Sequence, residues 1–486
     1  MPANGMIYAP PNPCVCYNQG RQYGFLAVSD MKSGVIPAPD PEKRLQKGPG
    51  YDPRLEYTAP KAEDTDWHTF RGDNARSGYA PVTLRDTPAL KWNVQLGVDL
   101  TAPVVVGDRL YVADKNTHTV HTINATTGKA AWRFVADAMV DSPPTCYSGS
   151  VYFGCRDGYV YCLNAADGTL RWRFLAAQQD RQIIAYDQIE SQWPVHGSVT
   201  IQDGRLYFVA GRNPFMDNGM DLYCLDPFTG EQLAVERIYA LNENNEQPRL
   251  PGVHVTGLNI DTSGPDILSS DGKHLFLRHK TLSLDNEMKM IPEPGGVPHL
   301  YASMGFLDDN FFHRAYWVYD QGTVAFRYAW LFGGKAKRGG RQGDNPAGQS
   351  FGSHLAVMDA ETVYHFGKSQ FAMAHPRQTP APDYFLAAIA KKPQSEARPW
   401  SIPTDVWVRS MMVTDSRLFV AGPSGNWHTD PGEFEGKNAV LRSMEKTTGK
   451  QVGEVRLEAA PVFNGMAAAG NRAYLSLASG TVVCLE

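Results

Sequence analysis

The chain repeats itself at a fixed interval. Trp92, Trp132 and Trp172 stand 40 residues apart each time. Between them, Gly107-Asp108-Arg109-Leu110-Tyr111-Val112 returns as Ser148-Gly149-Ser150-Val151-Tyr152-Phe153, and Asn124-Ala125-Thr126-Thr127-Gly128 returns as Asn164-Ala165-Ala166-Asp167-Gly168. Each unit is a set of short apolar β-runs cut by Gly turns. Such a unit cannot bury its apolar face alone and must stack on copies of itself. A period of this length, built from strands and turns, predicts the blades of a β-propeller.

The order of strand, Asp/Ser-Gly turn, strand, Ala-x-Thr/Asp-Gly turn and Trp-bearing strand resembles the PQQ-like (pyrroloquinoline-quinone-like) β-propeller repeat of large secreted multi-blade proteins. The resemblance covers most of Leu90 to Glu486. It implies an all-β fold of about seven blades of four strands each, with eight as the alternative because residues 290–350 are ambiguous. It leaves function open, since quinoprotein dehydrogenases, assembly scaffolds and carbohydrate-active proteins share the repeat.

Two regions divide the chain. Residues 89–486 carry the blade pattern. Residues 1–88 do not: they are Pro-rich and irregular, and are expected to lie along the propeller wall. Within them, Trp67 to Gly78 resembles the lead-in to a first PQQ-like blade, expected beside the last blade. The opening residues also resemble a segment that follows further sequence in large PQQ-like proteins, which implies an upstream domain in a longer parent. The last blade stops one strand short at Glu486, and the strand at Trp92 has no blade of its own. Pairing the two would close the ring and remove an exposed edge. Tyr316 to Tyr319 is the expected fourth strand of blade four.

The net charge of -5 and pI of about 6.2 give no electrostatic case for nucleic acid. No run is apolar enough to span a membrane. Met1-Pro2-Ala3-Asn4-Gly5 lacks the basic start and apolar stretch of a signal peptide, so the chain is either cytoplasmic or a mature or truncated form. The repeat resemblance favours a periplasmic or secreted setting. With seven Cys, at least one thiol stays unpaired within the chain. Cys162, Cys224 and Cys484 share one small apolar slot, and Cys146 and Cys155 read as buried thiols. Cys14-Val15-Cys16 is too short for an easy disulfide and too sparse for a metal site.

If strands A to D run outward from the axis, the A–B and C–D turns of this chain are short, and every long insertion falls in the B–C and D–A loops. One face is trimmed and the other elaborated, and the elaborated face is where a site would be built. His196, His279, His313 and Tyr316 are the acid/base candidates there. Arg212, Arg278, Arg314, Arg409 and Trp193 are the binding candidates. Each has a plainer reading: His196 as a hydrogen-bonded structural residue, His313-Arg314 as a packed face, Arg156-Asp157 as a surface turn pair.

Four functions compete. An acidic-polysaccharide lyase needs cations to neutralise a uronate, a base and an acid, which Arg, His and Tyr can supply. A non-catalytic binding or scaffold propeller needs only a surface. A quinoprotein dehydrogenase is disfavoured, because no adjacent Cys-Cys pair and no Ca²⁺ carboxylate cluster is present to hold PQQ. A metal-dependent hydrolase stays open through a divalent metal on converging His residues. The expected partner is an acidic polysaccharide or another anionic ligand.

Overall fold

The computed structural model describes residues 2–11, 25–29, 38–54, 65–214, 217–239, 264–278, 280–283, 297–302, 304–309, 317–320, 352–368, 384–391, 400–425 and 438–486. Among these, seven antiparallel sheets surround one axis. Blade one is Val104–Val106, Arg109–Asp114, Thr119–Asn124 and Ala130–Val135; blade two is Thr145–Tyr147, Ser150–Gly154, Tyr159–Asn164 and Leu170–Leu175. Blade three is Thr200–Gln202, Arg205–Ala210, Met220–Leu225 and Gln232–Ile238. Blade four shows Ser269–Ser270, His274–Leu277 and Lys280–Ser283. Blade five is Gly352–Met358, Thr362–Lys368, Tyr384–Ala390 and Trp400–Pro403, and blade six is Ser410–Thr414, Arg417–Pro423, Ala439–Glu445 and Gln451–Arg456. Pro461–Ala469, Arg472–Leu477 and Thr481–Leu485 begin blade seven, and Leu90–Gln95 completes it.

The ring closes as the orphan strand required. Trp92 faces Cys484 across an antiparallel pair, and Ala89 and Glu486 exchange two backbone hydrogen bonds of 2.9 Å. Lys91 adds an ion pair to the Glu486 carboxylate.

The repeat has a physical reason. Each outer-strand Trp donates its indole N–H to a carbonyl in the C–D turn of the next blade: Trp92 to Ala125 (3.2 Å), Trp132 to Ala165 (3.0 Å), Trp172 to Pro227 (3.2 Å). Trp400 does the same to Lys446 at 2.8 Å. The indole lies flat against the Gly that ends that turn. Gly168 has φ +75°, and a Cβ there would come within 2.5 Å of the Trp132 ring. Trp and Gly therefore recur together, because one blade supplies the ring and the next supplies the gap.

Three expectations about placement are corrected. Trp317–Asp320 pairs with His299–Ala302 and joins the blade-five sheet at Trp317 and Ser353, so it is not the fourth strand of blade four. Trp400–Pro403 is the fourth strand of blade five, so the insertion between it and Tyr384–Ala390 is of the C–D class, and not every long insertion falls in the B–C and D–A loops. The lead-in at Trp67 runs inside the ring. Trp67 bridges Val105, the His68 carbonyl accepts from Cys146 N, the Asn74 carbonyl from Ser270 N, and the Ser77 carbonyl from Met358 N. Tyr79–Ala80 then pairs in parallel with the inner strand of blade six. This strap touches inner strands around the axis because they offer unpaired backbone groups there. Leu45–Lys47 pairs with Leu170–Leu175 as a fifth strand of blade two. The described residues hold no helix long and apolar enough to cross a membrane.

Candidate functional site

Two arginines fix the strap. Arg76 is fully buried and donates to the carbonyls of Leu268 (3.0 Å), Phe70 (3.2 Å) and Val199 (3.3 Å), and to the hydroxyls of Thr69 and Thr200 at 2.8 Å. Arg71 donates to the Arg76 carbonyl at 2.8 Å, to Asn464 Oδ1 and to the Ala356 carbonyl, and stacks over Trp317. Burial pushes the guanidinium pKa down to about 9 for Arg71 and about 10 for Arg76, so both stay charged at neutral pH.

Phe70 of the strap lines a cavity of about 290 Å³ on the elaborated face. Its wall comes from D–A loops (Val98 to Ala102, Asp141 to Pro143 and Arg409), from Val462 and Phe463 at the start of the inner strand of blade seven, from the B–C positions Lys115 and Ala478, and from Leu307 and Asp309. Lys115 pairs with Asp99 at 2.7 Å, and Arg409 contacts Asp309 at 3.5 Å.

Beside this cup runs an alternating row of charges. Asp141 Oδ2 accepts from His196 Nδ1 at 2.8 Å and from Arg156 at 2.7 Å, and its Oδ1 accepts from Gly197 N at 2.8 Å. Burial alone would raise this carboxyl, but Arg156 and His196 outweigh it and hold the group far below the usual carboxylate range. Burial likewise opposes the Arg156 charge, and Asp141 and Glu190 override it upward. Glu190 pairs with Arg212, whose guanidinium burial and the nearby Arg156 push down. On the other side, Asp266 interacts with His196 and Arg278; burial raises its carboxyl. Arg278 donates to the Pro265 and Met304 carbonyls at 3.0 Å each.

Of the sequence candidates, His196, Arg212 and Arg278 fall in this row, and Arg409 lines the cup. Trp193 is buried, with its indole N–H on the Asp217 carbonyl at 2.9 Å. His279, His313, Arg314 and Tyr316 lie outside the described residues. Arg156 does not pair with Asp157 as a surface turn; Asp157 instead accepts from Tyr161 OH and Tyr159 N. Sequence reasoning missed the carboxylates Asp141, Glu190 and Asp266. The available signal was that a buried arginine or histidine needs an acid beside it. Among the described residues no group of three or more His, Cys, Asp or Glu side chains is placed to hold a metal ion.

The same face carries a projecting hairpin, Gln182–Ala185 with Gln188–Ser191. Its turn residues Tyr186 and Asp187 both have positive φ (53° and 60°), the pattern of a tight two-residue hairpin turn. Ile184 faces Ile189 across the pair, each 62% exposed, and Tyr186 at the tip is 52% exposed. Glu190, beside them, is anchored in the charge row through Arg212. Phe25 N donates to the Ile184 carbonyl at 3.2 Å, so the N-terminal segment already lies against this edge.

Ring, strap and repeat define the class: the chain is a seven-bladed PQQ-like β-propeller. Residues 82–254 match the family described as outer membrane protein assembly factor BamB. The BamB of Moranella endobia (strain PCIT) is 32% identical over 116 residues, a match covering 24% of this chain and 28% of that protein's length. A quinohemoprotein alcohol dehydrogenase from Pseudomonas putida HK5 superposes with a TM-score of 0.54 at 12% identity, over 87% of this chain and 80% of that one. BamB from Moraxella catarrhalis gives 0.47 at 12% identity, over 82% and 97%. At that identity the likeness to the dehydrogenase speaks for the fold alone.

Proposed function

We propose that this chain is an extracytoplasmic, non-catalytic docking propeller that serves the assembly of outer-membrane proteins. The observation that carries the reading is the hairpin: Ile184 and Ile189 held out in water beside a half-exposed Tyr186 that lies under Arg156, on an arm whose root is tied down by the Glu190–Arg212 pair. A rigid exposed apolar patch marks an interaction surface. The partner is an extended polypeptide segment that takes the place on the Ile184 edge where the chain's own Phe25 donates a backbone hydrogen bond. The sequence match to an outer membrane assembly factor supports the same reading.

The cup does not suit PQQ. Asp99, Asp141 and Asp309 would face a cofactor that itself carries three carboxylates, and the five described cysteines are free, buried and nowhere adjacent in sequence.

The test is genetic. Replacing both Ile184 and Ile189 by Lys in the native host should lower β-barrel outer-membrane protein levels as far as deleting the gene does, while the purified variant melts like the parent. Unchanged outer-membrane protein levels on gene deletion would remove the reading.

A second reading rests on Asp141, which orients His196 as a carboxylate orients a general base, with Arg409 also on the cup. It is the uronate lyase. Release of unsaturated uronides from a panel of acidic glycans, lost in His196→Ala, would establish it; no release from any of them would dismiss it.

A further inference from the structure

We propose that the axial cup captures a single carboxylate carried on an apolar body, with Arg409 as its anchor. This site is independent of the hairpin.

The strap's Phe70 lines the cup together with loops of the elaborated face. Five ionisable side chains line it, and they are not equally committed. Asp141 accepts from Arg156 at 2.7 Å and from His196 Nδ1 at 2.8 Å. Asp99 and Lys115 hold each other at 2.7 Å. The remaining pair is loose: Arg409 and Asp309 are 3.5 Å apart, and the Asp309 side chain is 54% exposed. An exposed pair at that distance is held weakly and exchanges readily for a better acceptor.

Arg409 itself is well fixed. Its N–H donates to Ala421 O at 2.9 Å, and its carbonyl accepts from Asn464 N at 2.9 Å. The guanidinium therefore projects from a rigid inner position, with a fork suited to a carboxylate. Phe70, Phe463, Leu100, Leu307 and Val462 give it an apolar wall beside the hydroxyl-bearing Thr101 and Ser142, whose hydroxyls are spent on the Ala102 carbonyl and on Asp141. A carboxylate displacing Asp309 would place its apolar body against these walls. A second carboxylate would meet Asp99 or Asp141, so the site selects one negative charge rather than a polyanion.

Two sources carry this chemistry: a small free aromatic carboxylate and the C-terminus of a polypeptide. Calorimetry on the full chain would use 4-phenylbutyrate, N-acetyl-Ala-Phe and N-acetyl-Ala-Phe-amide. Binding of either acid, at least about tenfold tighter than the amide and weakening with salt, supports the site. Tighter binding of the peptide acid assigns it to a chain terminus; tighter binding of phenylbutyrate assigns it to a small molecule. Arg409→Gln should abolish the preference for acid over amide, and Arg409→Lys should retain part of it, with both variants checked by their melting curves. Equal affinity for acid and amide, no binding of any probe, or an unchanged preference in Arg409→Gln would overturn the proposal.

Discussion

Replacing Arg76 by Met tests whether the strap holds the ring from within. The side chain is fully buried, and its guanidinium reaches carbonyls and hydroxyls from the strap and from blades three and four. Counting each bond to a charged group at roughly 1.5–3 kcal/mol would give a loss near 10 kcal/mol, which is too large. Two of the carbonyls keep a second donor. Leu268 O retains Thr200 Oγ1 and Val199 O retains Thr145 Oγ1, while the Thr69 and Thr200 hydroxyls stay bonded as donors, to Thr145 Oγ1 and Leu268 O. The Phe70 carbonyl has Arg76 as its donor, and removing the cation also removes its desolvation penalty. One orphaned buried carbonyl at about 1–3 kcal/mol, plus a small packing loss, predicts a cost of about 2–4 kcal/mol. Urea denaturation followed by tryptophan fluorescence reads this directly, because Trp67 lies in the strap itself. A shift below about 0.5 kcal/mol, or a gain in stability, would refute the claim that Arg76 ties strap to ring.

The remaining predictions concern the repeat, a buried histidine and the closing seam. Trp172→Ala should cost about 3–5 kcal/mol and Trp132→Ala distinctly less, since Trp172 is fully buried and Trp132 only partly; equal losses in chemical denaturation would contradict the packing described. Burial, then the charge on Arg409, push His354 down to about 3. The unfolded chain therefore takes up the proton first, and stability should fall as pH drops from about 6.5 toward 3, by up to about 1.4 kcal/mol per pH unit. His354→Phe should flatten that limb, and parallel profiles would sink the assignment. The hydrogen bonds from Lys91 and Asn471 push Glu486 down to about 2. Its contribution is present above about pH 4.5 and lost as pH falls toward 2, so Glu486→Gln should remove a salt-sensitive acid component of the melting curve.

What the sequence could and could not disclose follows from how each feature is encoded. Ring closure was legible because it is a local pattern with a missing member: Trp92 supplied a fourth strand and Cys484 lacked one. The Trp–Gly docking between blades was legible in two units and hidden in a third. Trp400 donates to Lys446 just as Trp132 does to Ala165, yet its strand is too short and too isolated by insertions to show the period. The strap was misplaced for a different reason. Its partners are spread over the inner strands, from Val105 to Val413, and its bonds run mostly to backbone groups that every sequence possesses. Nothing in the residues themselves names those partners; a fully buried arginine such as Arg76 needs carbonyls and hydroxyls to converge on its N–H groups, but its sequence does not say which. The site divides along the same line. His196, Arg212, Arg278 and Arg409 could be assigned to one face from loop topology, because topology is carried by turn spacing. Their carboxylate partners Asp141, Glu190 and Asp266 could not, because each acid lies in a D–A loop or strand start where an Asp or Glu is equally at home in water. The ion pairs are thus properties of neighbouring loops brought together at the junction of blades two and three, Asp141 with His196 and Glu190 with Arg212, and not of any single stretch of sequence.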